Sequence, residues 1–391
     1  MTVQDISAQR SSTKDEFHAE QVLTIAGGHF VHDVYSAFLP PLLPLIIEKM
    51  SLTLTLAGSL TAFLPLPSIL TPLIGHYADK YNLRYLVIIA PALTATAMSA
   101  LGLAPNYSIL ALLIIVAGIG SAFWHAPAPA MVAQISGQRV GKGMSWFMGG
   151  GELARTLGPL VAVWAASTWA LDGMFRIVVI GWGASAVLFW RLRAVPITVR
   201  AQGSLQSILP KMRTLFLPLF IVIFFRMFMV VCMTTYLPTF MSLRGSSLWL
   251  AGGSLSILEL AGVAGALSGG TLSDRLGRKN VLLVITIFAS LLMLAFLNVS
   301  GWLIVPVLLA YGFVSIAPGP VFLALVQDHF PGNRAVSNGL YISMNFLLRS
   351  LAMLLVGVAG DAIGLETAFV GSAFFSLLGV FGILLLPKEA E

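Results

Sequence analysis

Twelve apolar runs follow one another along this chain with short polar breaks between them, near residues 21–47, 53–77, 84–104, 108–135, 143–168, 173–193, 212–242, 248–272, 280–299, 301–327, 335–360 and 364–386. Each is about as long as the roughly 20 residues a helix needs to cross the hydrocarbon of a bilayer. No other feature restricts the fold so strongly. A backbone placed in lipid must satisfy its own N–H and C=O groups, and a helix does so within one segment. Composition agrees: 58% of the 391 residues are hydrophobic and 10% are charged, against roughly 25% charged in soluble domains. Too little polar surface exists to cover a globule in water. The expected fold is an all-α membrane protein with twelve transmembrane helices.

The few charges are placed unevenly. Of the 22 Lys and Arg, 16 fall in the tails and even-numbered breaks, and three (Lys49, Arg176, Arg244) fall in the odd-numbered ones. Cations collect on the cytoplasmic side, so both termini are expected there. The same placement explains the net charge of +6 without any nucleic acid. Residues 1–20 read as a polar cytoplasmic tail, lacking the apolar core of a cleavable signal. The longest break, residues 194–211, reads as a cytoplasmic linker between two six-helix bundles, 21–193 and 212–387. The single cysteine, Cys232, excludes an intramolecular disulfide and a Cys-rich metal site.

Two charged, glycine-punctuated stretches support the division into halves. Gly270-Thr271-Leu272-Ser273-Asp274-Arg275-Leu276-Gly277-Arg278-Lys279 reads as a short loop between two apolar runs. A weaker copy, Gly75-His76-Tyr77-Ala78-Asp79-Lys80, occupies the same setting in the first half, with Asn82 where the other has glycine. The pattern resembles the loops between helices 2 and 3 and between helices 8 and 9 of the major facilitator superfamily. That resemblance implies two six-helix bundles with a substrate site between them. It also implies a cytoplasmic latch made by Gly75, Asp79, Lys80, Gly270, Asp274, Arg275 and Arg278.

Ionisable residues inside the apolar runs are the candidates for function, because a charge at the bilayer centre costs roughly 2.5–3.5 kcal/mol even on the mild insertion scale. Span 1 carries His29, His32 and Asp33, with His29 and Asp33 one turn apart on one face. A carboxylate beside imidazole can exchange a proton near neutral pH. Span 4 carries Trp124-His125-Ala126-Pro127-Ala128-Pro129, where the prolines break the backbone ladder beside His125. Span 5 carries Gly149-Gly150-Gly151-Glu152, then Arg155 and Gly158-Pro159. Glu152 and Arg155 can pair at i,i+3, and Gly151 and Gly158 are expected to leave room around the guanidinium. Arg226 lies in span 7, Glu259 in span 8, and Tyr341, Asn345 and Arg349 form a polar stripe in span 11. Arg155, Arg226 and Arg349 could together clamp an anionic group. They could equally be neutralised by Asp33, Glu152 and Glu259. The expected proton-coupling residues are Asp33, His29, His125 and Glu152. The expected substrate contacts are Arg155, Arg226, Arg349, Tyr341, Asn345, His32 and Trp124.

The Gly-Pro end of span 5 resembles the antiporter motif of drug-exporting facilitators, although Leu160-Val161-Ala162 replaces its further glycines. His29-x-x-x-Asp33, Gly120-Ser121-x-Phe123-x-His125 and Leu157-Gly158-Pro159 together resemble the fosmidomycin-resistance group of the superfamily, which uses the proton gradient to export a phosphonate antibiotic. Ile114 stands where drug–proton antiporters carry an arginine, so proton handling is expected at Asp33, His125 and the Glu152–Arg155 pair. The resemblance implies a monomeric, proton-coupled exporter of a small anionic or amphiphilic compound in a bacterial inner membrane. The alternative is an uptake symporter for an organic anion. No metal-ligand spacing, nucleophile–base pattern or phosphate-binding loop is present along the chain, so neither an enzyme nor a cofactor is expected.

Overall fold

The structure is a computed structural model that describes residues 17–71, 74, 84–193 and 205–387. Every regular element among these residues is helical. The first half contains α1 (Ala19–Ser36), α2 (Leu39–Met50), α3 (Leu54–Phe63), α4 (Arg84–Ser99), α5 (Tyr107–His125), α6 (Ala128–Ile135), α7 (Val140–Gly173) and α8 (Val178–Leu192). The second contains α9 (Leu205–Val231), α10 (Leu237–Leu243), α11 (Leu248–Leu276), α12 (Arg278–Asn298), α13 (Ile304–Ile316), α14 (Pro318–His329), α15 (Arg334–Ile363), α16 (Leu365–Leu377) and α17 (Gly379–Leu385).

Local chemistry sets the boundaries. Thr53, Asn106 and Ser247 cap α3, α5 and α11 by accepting from backbone N–H groups three residues on, at 3.2, 3.0 and 3.2 Å. Pro127 and Pro129 divide one crossing into α5 and α6. Pro318 and Pro320 divide another into α13 and α14, with the same Ala-Pro-x-Pro pattern. A π-helical turn, Cys232–Tyr236, separates α9 from α10.

Among the described residues nine helical segments are long and apolar enough to cross a membrane, and two shorter apolar ones, Leu54–Leu70 and Arg84–Ser99, lie between them. One of the nine, Val140–Leu192, is 53 residues long, far beyond one bilayer at 1.5 Å per residue. It reverses at Ala170, whose φ of 55° leaves the helical region. The segments are consistent with twelve passes. Span 5 was expected to stop at 168; the helix continues to the reversal instead. The outer surface is apolar, with Leu267, Val179, Trp190 and Phe381 all exposed, as lipid contact requires.

The stretch 270–279 departs from its sequence reading. It is not a loop: α11 runs to Leu276, and only Gly277, at φ 85°, separates it from α12. A side chain rarely adopts that φ, so glycine makes the turn possible in one residue. Arg278 reaches back to Asp274 at 3.2 Å and to Ser273 Oγ at 3.1 Å, and across to Asp328 on α14 at 2.8 Å. Arg275 is exposed. Gly75, Asp79 and Lys80, like residues 1–16 of the tail and 194–204 of the linker, lie outside the described residues.

Glycines let the helices touch. A Cβ on Gly158 would lie 2.6 Å from Ala37 Cβ, and Gly150 faces the carbonyl of Ala26, so α7 seats directly on α1. Gly265 and Gly269 seat α11 on Phe313 and Ala317 in the same way. Between the halves, α3 packs on α15, α7 on α11 and α2 on α10. At the end of the molecule holding the α2–α3 turn, the Asp361 carboxylate accepts from the backbone N–H groups of Leu54 and Thr55, each at 2.8 Å. Two of the expected odd-break cations lie at this end in ion pairs: Lys49 with Asp172, and Arg244 with Glu366 at 2.7 Å.

Candidate functional site

A cavity of about 500 Å³ lies between the halves. It is lined by residues of α1, α2, α3, α5, α6, α7, the π turn, α11 and α15, with apolar walls from Leu64, Leu255, Ile342, Phe346 and Met353. Two groups of ionisable side chains face it.

The first group surrounds Asp33. His29 Nε2 lies 3.2 Å from Asp33 Oδ2, His125 Nε2 lies 3.4 Å from Oδ1, and His32 Nε2 lies 3.8 Å from Oδ1. His29 Nδ1 is 2.8 Å from the carbonyl of Phe147. A carbonyl only accepts, so this nitrogen carries the hydrogen. The His29 ring stacks on Phe147 at 4.1 Å and on Trp124 at 5.9 Å, and the His32 ring stacks on Trp124 at 5.4 Å. Gly151 lies against the His29 ring, where a Cβ would come within 2.6 Å of Cε1. The glycine expected to make room for Arg155 makes room for His29 instead. Phe147, which no spacing in the sequence singled out, supplies both a ring and a carbonyl.

The second group joins the two halves. Arg155 pairs with Glu152 on its own helix and lies 3.9 Å from Glu259 on α11. Arg349 donates to Thr234 Oγ1 of the π turn at 3.5 Å and faces the same Glu259. The cavity therefore presents Asp33, Glu152 and Glu259 against Arg155 and Arg349, an excess of one carboxylate over the guanidinium groups.

The remaining expected residues lie elsewhere. His32 and Trp124 are fully buried behind the cavity wall. Arg226 sits inside the second bundle, where it donates to the carbonyl of Ser315 beside Tyr311 and Tyr341. Asn345 donates to the carbonyl of Tyr341 at 3.0 Å, one turn back on its own helix. Neither Arg226, Tyr341 nor Asn345 lines the cavity. The three arginines do not converge: two meet in the cavity and one does not. Thr234, Thr235, Phe346 and Met353 line it although spacing gave them no part in binding. The double threonine after an all-apolar stretch is the one trace in the sequence.

Comparison with known proteins follows the same lines. A family profile described as Major Facilitator Superfamily matches residues 25–353. The fosmidomycin resistance protein of Escherichia coli (strain K12) is 26% identical over 97% of this chain and 95% of its own. Among solved structures, a bacterial homologue of the human lysosomal transporter Spinster superposes with a TM-score of 0.82 at 14% identity, covering 95% of this chain and 97% of its own. A D-xylose–proton symporter superposes with a TM-score of 0.73 at 17% identity over 95% and 97%.

Proposed function

The chain belongs to the Major Facilitator Superfamily, a family of membrane transporters, and on that footing we propose that it is a proton-coupled exporter of a small anionic or amphiphilic compound. One observation carries this reading: Asp33 sits between His29 and His125 on the wall of a cavity that Arg155 and Arg349 also line. The excess carboxylate leaves one negative charge to be met in a region of low dielectric. A proton meets it. Protonation at Asp33 or Glu152 weakens an ion pair and biases the equilibrium between states. The two arginines offer planar, fixed donors to a carboxylate or phosphonate, and the apolar walls accept the rest of an amphiphilic molecule. Similarity to a protein named for resistance to fosmidomycin supports export.

In this reading residues 21–193 and 212–387 are the moving bundles, 194–211 tethers them, and the 1–20 tail and both termini are cytoplasmic. The end sealed by Asp361 faces outward. Asp274, Arg278 and Asp328, with Asp79 of the first half, make the cytoplasmic latch. The protein acts as a monomer in a bacterial inner membrane.

The test is transport in proteoliposomes under an imposed pH gradient, with candidate compounds first found by their stabilisation of the folded state. Wild type is expected to move substrate against its gradient only while the pH gradient stands, and Asp33→Asn to lose that coupling. Wild-type accumulation that survives collapse of the gradient rejects proton coupling. Counterflow with protons and substrate on the same side distinguishes export from symport.

A further inference from the structure

We propose that His29, Asp33 and His125 form a binding site for a divalent transition-metal ion of the zinc class, open to the transport cavity. Spacing along the chain shows no such site, because His125 comes from α5 and the other two ligands from α1. The fold brings one ligand atom from each of the three within 4.8 Å of one another. His29 Nε2 lies 3.2 Å from Asp33 Oδ2 and His125 Nε2 lies 3.4 Å from the other oxygen, Oδ1. Ligands bound tetrahedrally at about 2.0–2.1 Å are separated by about 3.4 Å, so the three ligand atoms must draw together from within 4.8 Å to hold the ion, a movement that side-chain rotation can supply.

The tautomer of His29 points to the same ligand. Its Nδ1–H is committed to the carbonyl of Phe147, so in the neutral ring the Nε2 lone pair faces the Asp33 carboxylate. Two electron-rich atoms oppose each other unless a proton or a metal ion lies between them, and the metal is the occupant tested below. Neither His29 Nε2 nor Asp33 Oδ1 makes a well-directed hydrogen bond, although His29 Nε2 lies 3.2 Å from Oδ2 and His125 Nε2 lies 3.4 Å from Oδ1. A histidine that donates its other nitrogen to a backbone carbonyl is also the usual arrangement behind a metal ligand, since it fixes tautomer and ring orientation.

Charge and access agree. Among the described residues the cationic or titratable groups within 4 Å of the Asp33 carboxylate are the imidazoles of His29, His32 and His125, while Arg155 pairs with Glu152 and Glu259. The His125 side chain is 33% exposed, which leaves a fourth position open toward the cavity. Three protein ligands with one open position is the pattern of a metal that meets a second molecule. Two imidazoles and a carboxylate suit Zn²⁺, Co²⁺, Ni²⁺ or Cu²⁺ and not the all-oxygen preference of Mg²⁺ or Ca²⁺.

This inference does not depend on the transport reading, and its test needs no gradient. The full chain, purified in detergent on a tag without histidine, is titrated with Co²⁺ and followed by visible absorption. One saturable equivalent with the strong bands of four-coordinate Co²⁺ is expected, displaced by Zn²⁺ and not by Mg²⁺. His125→Gln and Asp33→Asn are each expected to weaken Co²⁺ binding at least tenfold, whereas His329→Gln leaves it unchanged. Zn²⁺ is expected to raise the melting temperature of wild type and not of His125→Gln, each compared with its own metal-free value so that a loss of fold is visible. Absence of a saturable band in wild type overturns the proposal without any variant. So does a band that survives both substitutions, which places the ion at another histidine.

Discussion

His29 is held on four sides: Phe147 stacks on one face, Trp124 lies near the other, a carbonyl fixes Nδ1, and the backbone of Gly151 lies close to Cε1. Its geometry toward Asp33 is therefore set by neighbours that cannot yield. Gly151→Ala drives a methyl group into a ring with no room to retreat, an overpacking that costs about 1–3 kcal/mol. The imidazole shifts relative to Asp33, and proton-driven transport is expected to fall at least tenfold in a flux assay. Gly149→Ala is the control. Nothing lies within 4 Å of a Cβ there, so the helix should gain about 0.5–1 kcal/mol from the loss of glycine and transport should stay at the wild-type rate. Equal effects of the two substitutions would remove the special role assigned to Gly151. The i,i+4 pairing of His29 and Asp33 was legible in the sequence because helical periodicity is local. The arrival of His125 and Phe147 was not, because nothing in the spacing fixes which helices become neighbours.

Interrupted elements contribute to the cavity wall. The crossings that carry the Ala-Pro-x-Pro pattern both break, α5 from α6 and α13 from α14, for the reason proline always gives: a missing N–H and a clash with the preceding turn. The π turn between α9 and α10 lacks the double-proline pattern but is followed by Pro238, whose missing N–H and ring leave the Thr234 carbonyl without its helical partner, and it places Thr234 and Thr235 on the cavity wall. The start of α3 is held by a carboxylate from the other half. Asp361 satisfies two of its free N–H groups and adds a charge favourable to a helix N-terminus. Asp361→Ala should remove about 0.5–2 kcal/mol of that contact. Since the contact joins the halves, the loss falls on the state sealed at this end. Its population relative to the open state should drop by about tenfold for each 1.4 kcal/mol. Labelling of a cysteine introduced at Thr61, buried on the cavity wall of α3, reads the change, because the native Cys232 is buried and does not line the cavity. An unchanged labelling rate would mean that Asp361 does not help to seal this end.

At the scale of the whole molecule, two bundles meet in the cavity through charge. Glu259 of the second bundle lies near Arg155 of the first while facing Arg349 of its own. Glu259→Gln leaves both guanidinium groups with Glu152 as the nearest remaining acid of this group. Removing one member of a buried pair costs about 3–5 kcal/mol. The Arg155 side chain is 44% exposed, so solvent screening reduces that to about 1–2 kcal/mol. The expected result is a lower melting temperature in detergent together with tighter binding of an anionic substrate, whose acid now fills the vacant place. A lower melting temperature with weaker anion binding would show that Glu259 itself contacts the substrate.

Sequence alone determined the solvent of this protein and its helical class, because hydropathy and backbone satisfaction are properties of each segment taken by itself. It also determined which side chains are costly enough to matter. Tertiary structure alone decided which of them meet. Asp33 acquired His125 from a second segment, Arg155 and Arg349 acquired a shared carboxylate, and Arg226 was turned away into its own bundle. Those outcomes depend on helix rotation and on backbones brought together at glycines, and both are settled only when every helix has found its neighbours.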